Sequence, residues 1–221
     1  MIAVAIDGPA GAGKSTIAKQ AAQNLGFIYV DTGAIYRAVG LACLQQQVDV
    51  SDSKTVAELL KKMDIRIIFF NGEQHILLND ADVSDEIRTE KISMAASKVS
   101  AIPEVRSFLL ELQRNFARTD NVIMDGRDIG TVVLPNAQVK IFLTASPEIR
   151  AKRRVAQLAE KGEQADYEQV LADIVKRDYS DSNREIAPLK PAETAIPVDT
   201  SSLTLEESVR KVTEMIKERI E

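Results

Sequence analysis

Eight consecutive residues near the amino terminus have the types and spacing of a phosphate-binding loop. They match the pattern G-x-x-x-x-G-K-[ST] at every fixed position and read Gly8-Pro9-Ala10-Gly11-Ala12-Gly13-Lys14-Ser15. Glycines let the backbone wrap around a phosphate with its N–H groups pointing inward, and a helix that begins near Lys14 adds the positive end of its dipole. Lys14 is expected to reach the β- and γ-phosphates of a bound nucleotide, and the Ser15 hydroxyl is placed for Mg²⁺. The motif therefore predicts a nucleotide site that works with Mg²⁺.

The sequence around this motif has the context that such a loop needs. Residues 2–6 form a short apolar run, typical of a buried strand. After the loop, Ile17, Ala21 and Leu25 recur every four residues, and Gly26 ends the predicted helix. Further strands are predicted at 27–30, 122–124 and 139–143, and further helices at 34–47, after Ser146 and after Thr204. This alternation predicts an α/β fold with a parallel sheet flanked by helices.

One segment interrupts the alternation. Apolar runs on either side of Asn71-Gly72 predict a β-hairpin over residues 64–79. Helical patterns follow at 88–100 and 103–117. We interpret this segment as an antiparallel insert in a parallel protein.

Composition excludes several classes of protein. The chain has 221 residues, a net charge of −5 and an isoelectric point near 5.2. This acidic balance argues against a nucleic-acid-coating protein. One cysteine, Cys43, permits no internal disulfide and favours a reducing compartment. One histidine, His75, and one cysteine together argue against a zinc site. With no signal-like or bilayer-length apolar run, we expect a cytoplasmic protein without membrane partners. We also expect a monomer without nucleic-acid partners.

The loop alone does not identify the phosphate acceptor, because GTPases, motor ATPases and small-molecule kinases share it. The chain lacks the guanine-specifying pattern Asn-Lys-x-Asp. Arginines favour an acceptor that carries its own phosphate, since bringing two polyanions together requires fixed cations. Arg127 follows a predicted strand on a glycine turn, whereas residues 148–184 hold eight basic and eight acidic residues. For part of the arginine set, an ion pair on a solvated helix face therefore remains an alternative to phosphate binding. Besides Arg127, the set consists of Arg37, Arg150, Arg153, Arg154, Arg177 and Arg184.

Four segments together resemble the bacterial-type cytidylate kinases of the nucleoside monophosphate kinase family. They are residues 6–16, 31–37, 124–133 and 177–184, and the resemblance covers nearly the whole chain. It implies catalytic roles for Lys14, Arg127, Arg177 and Arg184. It also implies that ATP contacts Arg153 and residues 8–16, a range that includes Thr16. It also implies that the acceptor contacts Arg37, Ser97, Arg106, Arg127, Asp128, Arg177, Asp181 and Arg184. For Asp125 the resemblance leaves two roles open, either a residue that contacts the ligands of Mg²⁺ or a structural residue.

The same resemblance implies an organisation and a reaction. A core over 1–62 and 119–221 would carry a monophosphate-binding insert over 63–118, with a helical lid over 150–180 inside the core span. The expected partners are small molecules, ATP with CMP or dCMP, and the expected products are ADP with CDP or dCDP. Two alternatives stay open: a kinase for UMP or an acceptor such as shikimate, and a non-catalytic nucleotide-dependent switch.

Overall fold

The structure is a computed structural model that describes residues 1–160 and 162–220. Lys161, which falls within the expected lid, and Glu221 lie outside the described residues. The chain divides into two compact units. The hairpin unit comprises Met1 and Ile28–Asn121, and the loop unit comprises Ile2–Phe27 and Val122–Glu221.

Strands and helices alternate in much of the described chain. The strands are β1 (Ala3–Asp7), β2 (Ile28–Asp31), β3 (Ile65–Phe70), β4 (Glu73–Leu78), β5 (Ala81–Asp82), β6 (Val122–Gly126), β7 (Val139–Thr144) and β8 (Ile196–Asp199). The α-helices are α1 (Lys14–Leu25), α2 (Thr32–Gln45), α3 (Ser53–Leu60), α4 (Glu90–Val99), α5 (Pro103–Thr119), α6 (Pro147–Glu160), α7 (Tyr167–Asn183) and α8 (Leu205–Ile220). A π-helical turn, Ile129–Val133, follows β6.

The loop unit is built on parallel strands in the order β6-β1-β7-β8. Every residue of β1 is buried, because β1 has a strand on each side and helices α1 and α8 pack in the same unit. Helices α6 and α7 pack together as a helical hairpin. The predicted α/β fold, with a parallel sheet flanked by helices, is confirmed.

The hairpin unit contains the predicted antiparallel insert. Strand β3 pairs antiparallel with β4, and β4 pairs with β5. Asn71 and Gly72 join β3 to β4, and both have positive φ, 51° and 78°, as the tight hairpin turn requires. Helices α2 and α4 approach closely at Gly40, where an added Cβ would lie 3.0 Å from the backbone nitrogen of Ala96. A glycine at this position therefore sets the spacing of the two helices.

Two boundaries differ from expectation for local reasons. Helix α2 begins at Thr32, two residues early, because the Asp31 carboxylate accepts a hydrogen bond from the Ala34 N–H and caps the helix. Strand β6 continues to Gly126, because its pairing with β1 extends as far as Asp7. Within the described ranges no helix is long and apolar enough to cross a bilayer.

Candidate active site

The phosphate loop links the end of β1 to the start of α1. Gly8 lies against β7, where an added Cβ would come within 1.9 Å of the Leu143 carbonyl oxygen. Gly13 has φ 89° and caps α1 in the left-handed conformation, so the helix begins at Lys14 with its N–H groups directed toward the loop. The sequence thus builds a tight anion-binding turn on a buried strand.

Lys14 is buried beside other cations. Its Nζ donates to the Pro9 carbonyl oxygen at 2.8 Å, and the residue is 5% exposed. Burial lowers the pKa of Lys14 to about 7, with further lowering by the positive charges of Arg127 and Arg177. The protein's own groups therefore disfavour the ammonium form, and a polyanion in the loop would restore it.

Ser15 and Asp125 supply neighbouring oxygen atoms beneath the loop. The Ser15 hydroxyl donates to Asp125 Oδ2 at 2.9 Å, and Asp125 is 4% exposed on β6. A hydroxyl and a carboxylate suit Mg²⁺, which usually takes one or two protein oxygens together with phosphate and water. Among the described residues no group of three or more His, Cys, Asp or Glu side chains could hold a metal by itself. The residues present thus fit an ion that arrives with a nucleotide.

Ion pairs of the α7 segment hold two of the expected phosphate-binding arginines. Arg127 Nε donates to Asp181 Oδ2 at 2.9 Å, and Arg184 Nη2 lies 3.4 Å from Asp128 Oδ1. Asp181 and Asp128 are each 5% exposed. Both pairs are within the loop unit, so the structure brings together four of the residues that the sequence singled out.

Asp7, the last residue of β1, was missed by the sequence analysis. Its two carboxylate oxygens accept the N–H groups of Ile129 and Gly130, each at 2.7 Å. These are the first two residues of the π-helical turn that follows Asp128. Burial raises the pKa of Asp7 to about 6, against the opposing effect of the two backbone hydrogen bonds. Asp7 therefore ties the strand before the phosphate loop to the backbone after Asp128.

Arg153 lies on α6 and contacts the segment after β8. Its Nη2 donates to the Thr200 carbonyl oxygen at 2.7 Å, and its Nη1 lies 3.3 Å from the Thr200 hydroxyl. That hydroxyl in turn lies 3.5 Å from the carbonyl oxygen of Ala12 in the phosphate loop. Arg153 is thus connected to the loop through one buried threonine.

In the hairpin unit, the Arg37 side chain is held by Asp31, the residue that caps the helix on which Arg37 lies. Arg37 Nη2 donates to Asp31 Oδ2 at 2.7 Å. Gln74 on β4 fixes Asp31 in turn, accepting its N–H at 2.8 Å and donating to its carbonyl oxygen at 3.1 Å. Arg37 Nε is buried with no hydrogen-bond partner among the described residues. One nitrogen of a buried guanidinium is therefore left for an acceptor from outside the described chain.

Arg106 and Ser97 lie in the same unit on α5 and α4. The Arg106 guanidinium is 5.7 Å from the ring centroid of Tyr36 and donates to the Ser100 carbonyl oxygen at 3.1 Å. The residue is 8% exposed, so its side chain is held by these contacts and is not a solvent-exposed group on the helix surface. Ser97 is half-buried, and its carbonyl oxygen accepts the Ser100 hydroxyl at 2.7 Å.

Comparison with known proteins identifies the family. A sequence profile of the family described as "Cytidylate kinase" matches residues 4–218. The chain belongs to the cytidylate kinase family. It is 53% identical to the cytidylate kinase of Caldicellulosiruptor bescii, over 97% of this chain and 95% of the relative. It is also 53% identical to that of Carboxydothermus hydrogenoformans, over 96% of each chain.

The comparison with solved structures concerns the fold alone. An uncharacterised protein from Eubacterium ventriosum superposes with a TM-score of 0.50 at 13% identity, covering 100% of this chain and 98% of that one.

The site residues expected from resemblance to cytidylate kinases fall into two groups. The loop unit holds residues 8–16, Arg127, Asp128, Arg153, Arg177, Asp181 and Arg184, and the hairpin unit holds Arg37, Ser97 and Arg106. Their roles stay predictions, whereas the contacts above show which groups hold most of the arginines. Gln74 and Asp7 carried little signal in the sequence. A carboxylate that ends the strand before a phosphate loop could have drawn attention to Asp7.

Proposed function

We propose that this protein is a nucleoside monophosphate kinase that transfers the γ-phosphoryl group of ATP to CMP, and also to dCMP. The observation that carries the proposal is the match to cytidylate kinases over residues 4–218. Relatives at 53% identity with this name make the alternatives, UMP or a small acceptor such as shikimate, less favoured. The loop unit supports a phosphoryl-transfer role by setting Lys14, Arg127 and Arg177 close enough for their charges to interact.

The donor nucleotide is proposed to lie in the phosphate loop. Backbone N–H groups at the start of α1 would bind its phosphates, and Lys14 would move from the Pro9 carbonyl to the β- and γ-phosphate oxygens. Ser15, which donates to Asp125, would hold Mg²⁺, and the ion would supply positive charge that offsets the charge of the nucleotide phosphates. Arg153 is assigned to the ATP side as well.

The acceptor needs no strong general base. A monophosphate has a second pKa near 6, so its attacking oxygen is already anionic at neutral pH. Catalysis then comes from alignment and from neutralising charge on the transferred group. We assign Arg37, Arg127 and Arg184 to the CMP phosphate, and Arg177 and Asp181 to the sugar hydroxyls. Arg177 is also assigned a catalytic role.

Recognition of cytosine is assigned to Asp128 and Arg106, with Ser97. Cytosine presents an N4 amino donor with acceptors at N3 and O2, and uracil reverses the N4 and N3 positions. A carboxylate accepts from the cytosine amino group but meets a lone pair on uracil O4. Each mispaired buried group costs on the order of 1–3 kcal/mol, so two mismatches give a preference of tens-fold or more in kcat/KM.

Coupled ADP release with CMP, dCMP, UMP, AMP and shikimate as acceptors tests the activity. CMP should be preferred. ADP release that does not depend on any acceptor would instead support a nucleotide-dependent switch.

Base recognition has a separate test. Asp128→Asn and Arg106→Met should each lower the CMP/UMP ratio of kcat/KM. Lys54→Met, an exposed change on α3, is the matched control and should leave the ratio unaltered. If both site variants keep the wild-type ratio, cytosine is read by other residues even though the enzyme phosphorylates CMP.

The proposal also includes a mobile lid and a monomeric state. Residues 150–180 are proposed to close over ATP and exclude water, which would otherwise compete as the acceptor. The protein is proposed to act as a cytoplasmic monomer on small molecules, without nucleic-acid or membrane partners. The single, buried Cys43 is in keeping with a reducing compartment.

A further inference from the structure

Arg150, on the first turn of α6, is a buried cation that the mechanism above does not use. It is 3% exposed, and its guanidinium contacts three separate parts of the loop unit. Nε donates to the Ala145 carbonyl oxygen at 2.8 Å, and Nη1 donates to the Ala10 carbonyl oxygen at 3.0 Å. Nη1 and Nη2 also donate to the two carboxylate oxygens of Asp178 on α7, at 3.0 Å and 2.5 Å. One planar group thus joins the end of β7, the phosphate loop and α7.

The contact with Ala10 bears on the shape of the phosphate loop. A trans peptide unit is planar, so the Ala10 carbonyl and the Gly11 N–H point in opposite directions. Arg150 holds the carbonyl, and its stem lies 3.5 Å from the position of an added Cβ on Gly11. The guanidinium therefore fixes the orientation of one N–H in the turn that cradles phosphate.

The contact with Asp178 bears on α7. Asp178 directly follows Arg177 and precedes Asp181 by one helical turn, so Asp178 and Asp181 lie on the same face of α7. Asp181 holds Arg127, and Arg177 lowers the pKa of Lys14 through its charge. A rotation or shift of α7 would therefore displace both arginines relative to the phosphate loop.

We propose that Arg150 is a positioning residue that fixes the phosphate loop and α7 relative to each other, through the Ala10 carbonyl and the Asp178 carboxylate. This arrangement aligns Arg177 and the Arg127–Asp181 pair with Lys14. This inference rests on the proposed kinase function for its kinetic consequences. The pair lies near the base of the α6–α7 hairpin, because Arg150 is close to the start of α6 and Asp178 is close to the end of α7. The base of the proposed lid is therefore anchored, and its motion is confined to the part nearer the turn between the helices.

The test is a double-mutant cycle with Arg150→Met and Asp178→Asn. Methionine keeps a long apolar stem, and the Asp178 side chain, 24% exposed, can reach water once its partner is gone. We expect Arg150→Met to lower kcat with CMP and MgATP by on the order of 100-fold, since a misplacement of about 1 Å costs that much. The double variant should lose little beyond the worse single variant. Arg150→Lys should rescue only part of the loss, because lysine cannot make the paired contact with a carboxylate.

The control is Lys152→Met, an exposed change on the same helix, which should behave as wild type. Amide hydrogen exchange without substrates provides a readout independent of activity, and α7 should exchange faster in Arg150→Met than in Lys152→Met. If wild type turns over no CMP, the proposed function fails, and exchange together with MgATP affinity still tests the role of Arg150. The inference is overturned if the two losses multiply, or if folded Arg150→Met matches the control in both kcat and exchange.

Discussion

Binding of MgATP should draw a proton onto Lys14, and the size of this uptake follows from the site. The protein's own groups lower the pKa of Lys14 to about 7. With that pKa about nine tenths of the amines are neutral at pH 8, and about one tenth are neutral at pH 6. The β- and γ-phosphates placed against Nζ should raise the pKa back toward its ordinary value of 10.5. Uptake should therefore be about 0.9 proton per site at pH 8 and about 0.1 at pH 6.

Titration calorimetry in buffers of different ionisation enthalpy measures this number directly. At pH 8 the nucleotide phosphates are already ionised, because their second pKa is near 6, and Asp7, with a pKa of about 6, is ionised as well. Lys14→Met should abolish the uptake, and Lys19→Met on the same helix should retain it. Equal uptake in wild type and Lys14→Met at pH 8 would show that Lys14 is charged before the nucleotide arrives, which would refute the assigned effect of burial and neighbouring arginines.

Three further outcomes are expected. Gly8→Ala should destabilise the protein by roughly 1–3 kcal/mol in urea unfolding, because the new Cβ meets the Leu143 carbonyl oxygen at 1.9 Å. Gly26→Ala is the control: Gly26 also has positive φ, 67°, but nothing lies within 4 Å of an added Cβ, so this change carries backbone strain without the clash and should cost less. Asp7 binds more protons in the folded than in the unfolded state between pH 3.8 and about 6. The stability of wild type relative to Asp7→Asn should therefore fall as pH rises through that window and level off above it; a stability difference that does not change with pH would contradict the raised pKa. Limited proteolysis near Gly162 should slow when ATP and CMP are both bound, and cleavage indifferent to ligand would rule out the lid.

The sequence predicted the elements whose pattern is local. The phosphate loop, the Asn71-Gly72 hairpin and the alternation of strands and helices each have short-range signals, and all three are present in the structure. Helix α3 and the short strands β5 and β8 were not predicted. Strand β8 has only four residues and includes Pro197, and it is defined by its pairing with β7, which no local pattern encodes.

The ion pairs of the site could not be predicted, because they depend on contacts between residues far apart in sequence. Arg150 and Asp178 are separated by 28 positions, and Asp7 and Gly130 by 123. In a stretch with equal numbers of acidic and basic residues, sequence alone cannot say which arginines are buried. The structure separates Arg150, which is 3% exposed, from Arg154, which makes an exposed contact with Gln157.

The proposed binding of two polyanions is compatible with an acidic chain because carboxylates hold the assigned arginines in place. Three guanidiniums assigned to the acceptor phosphate each contact an aspartate: Arg37 with Asp31, Arg127 with Asp181 and Arg184 with Asp128. Each pairing fixes a long side chain, so less conformational entropy would remain to be lost on binding a phosphate. Asp181 and Asp128 are themselves assigned to the sugar and the base. When CMP binds, both members of these two pairs would exchange a protein partner for a substrate group, so recognition of the nucleoside and release of the arginines toward phosphate become a single event.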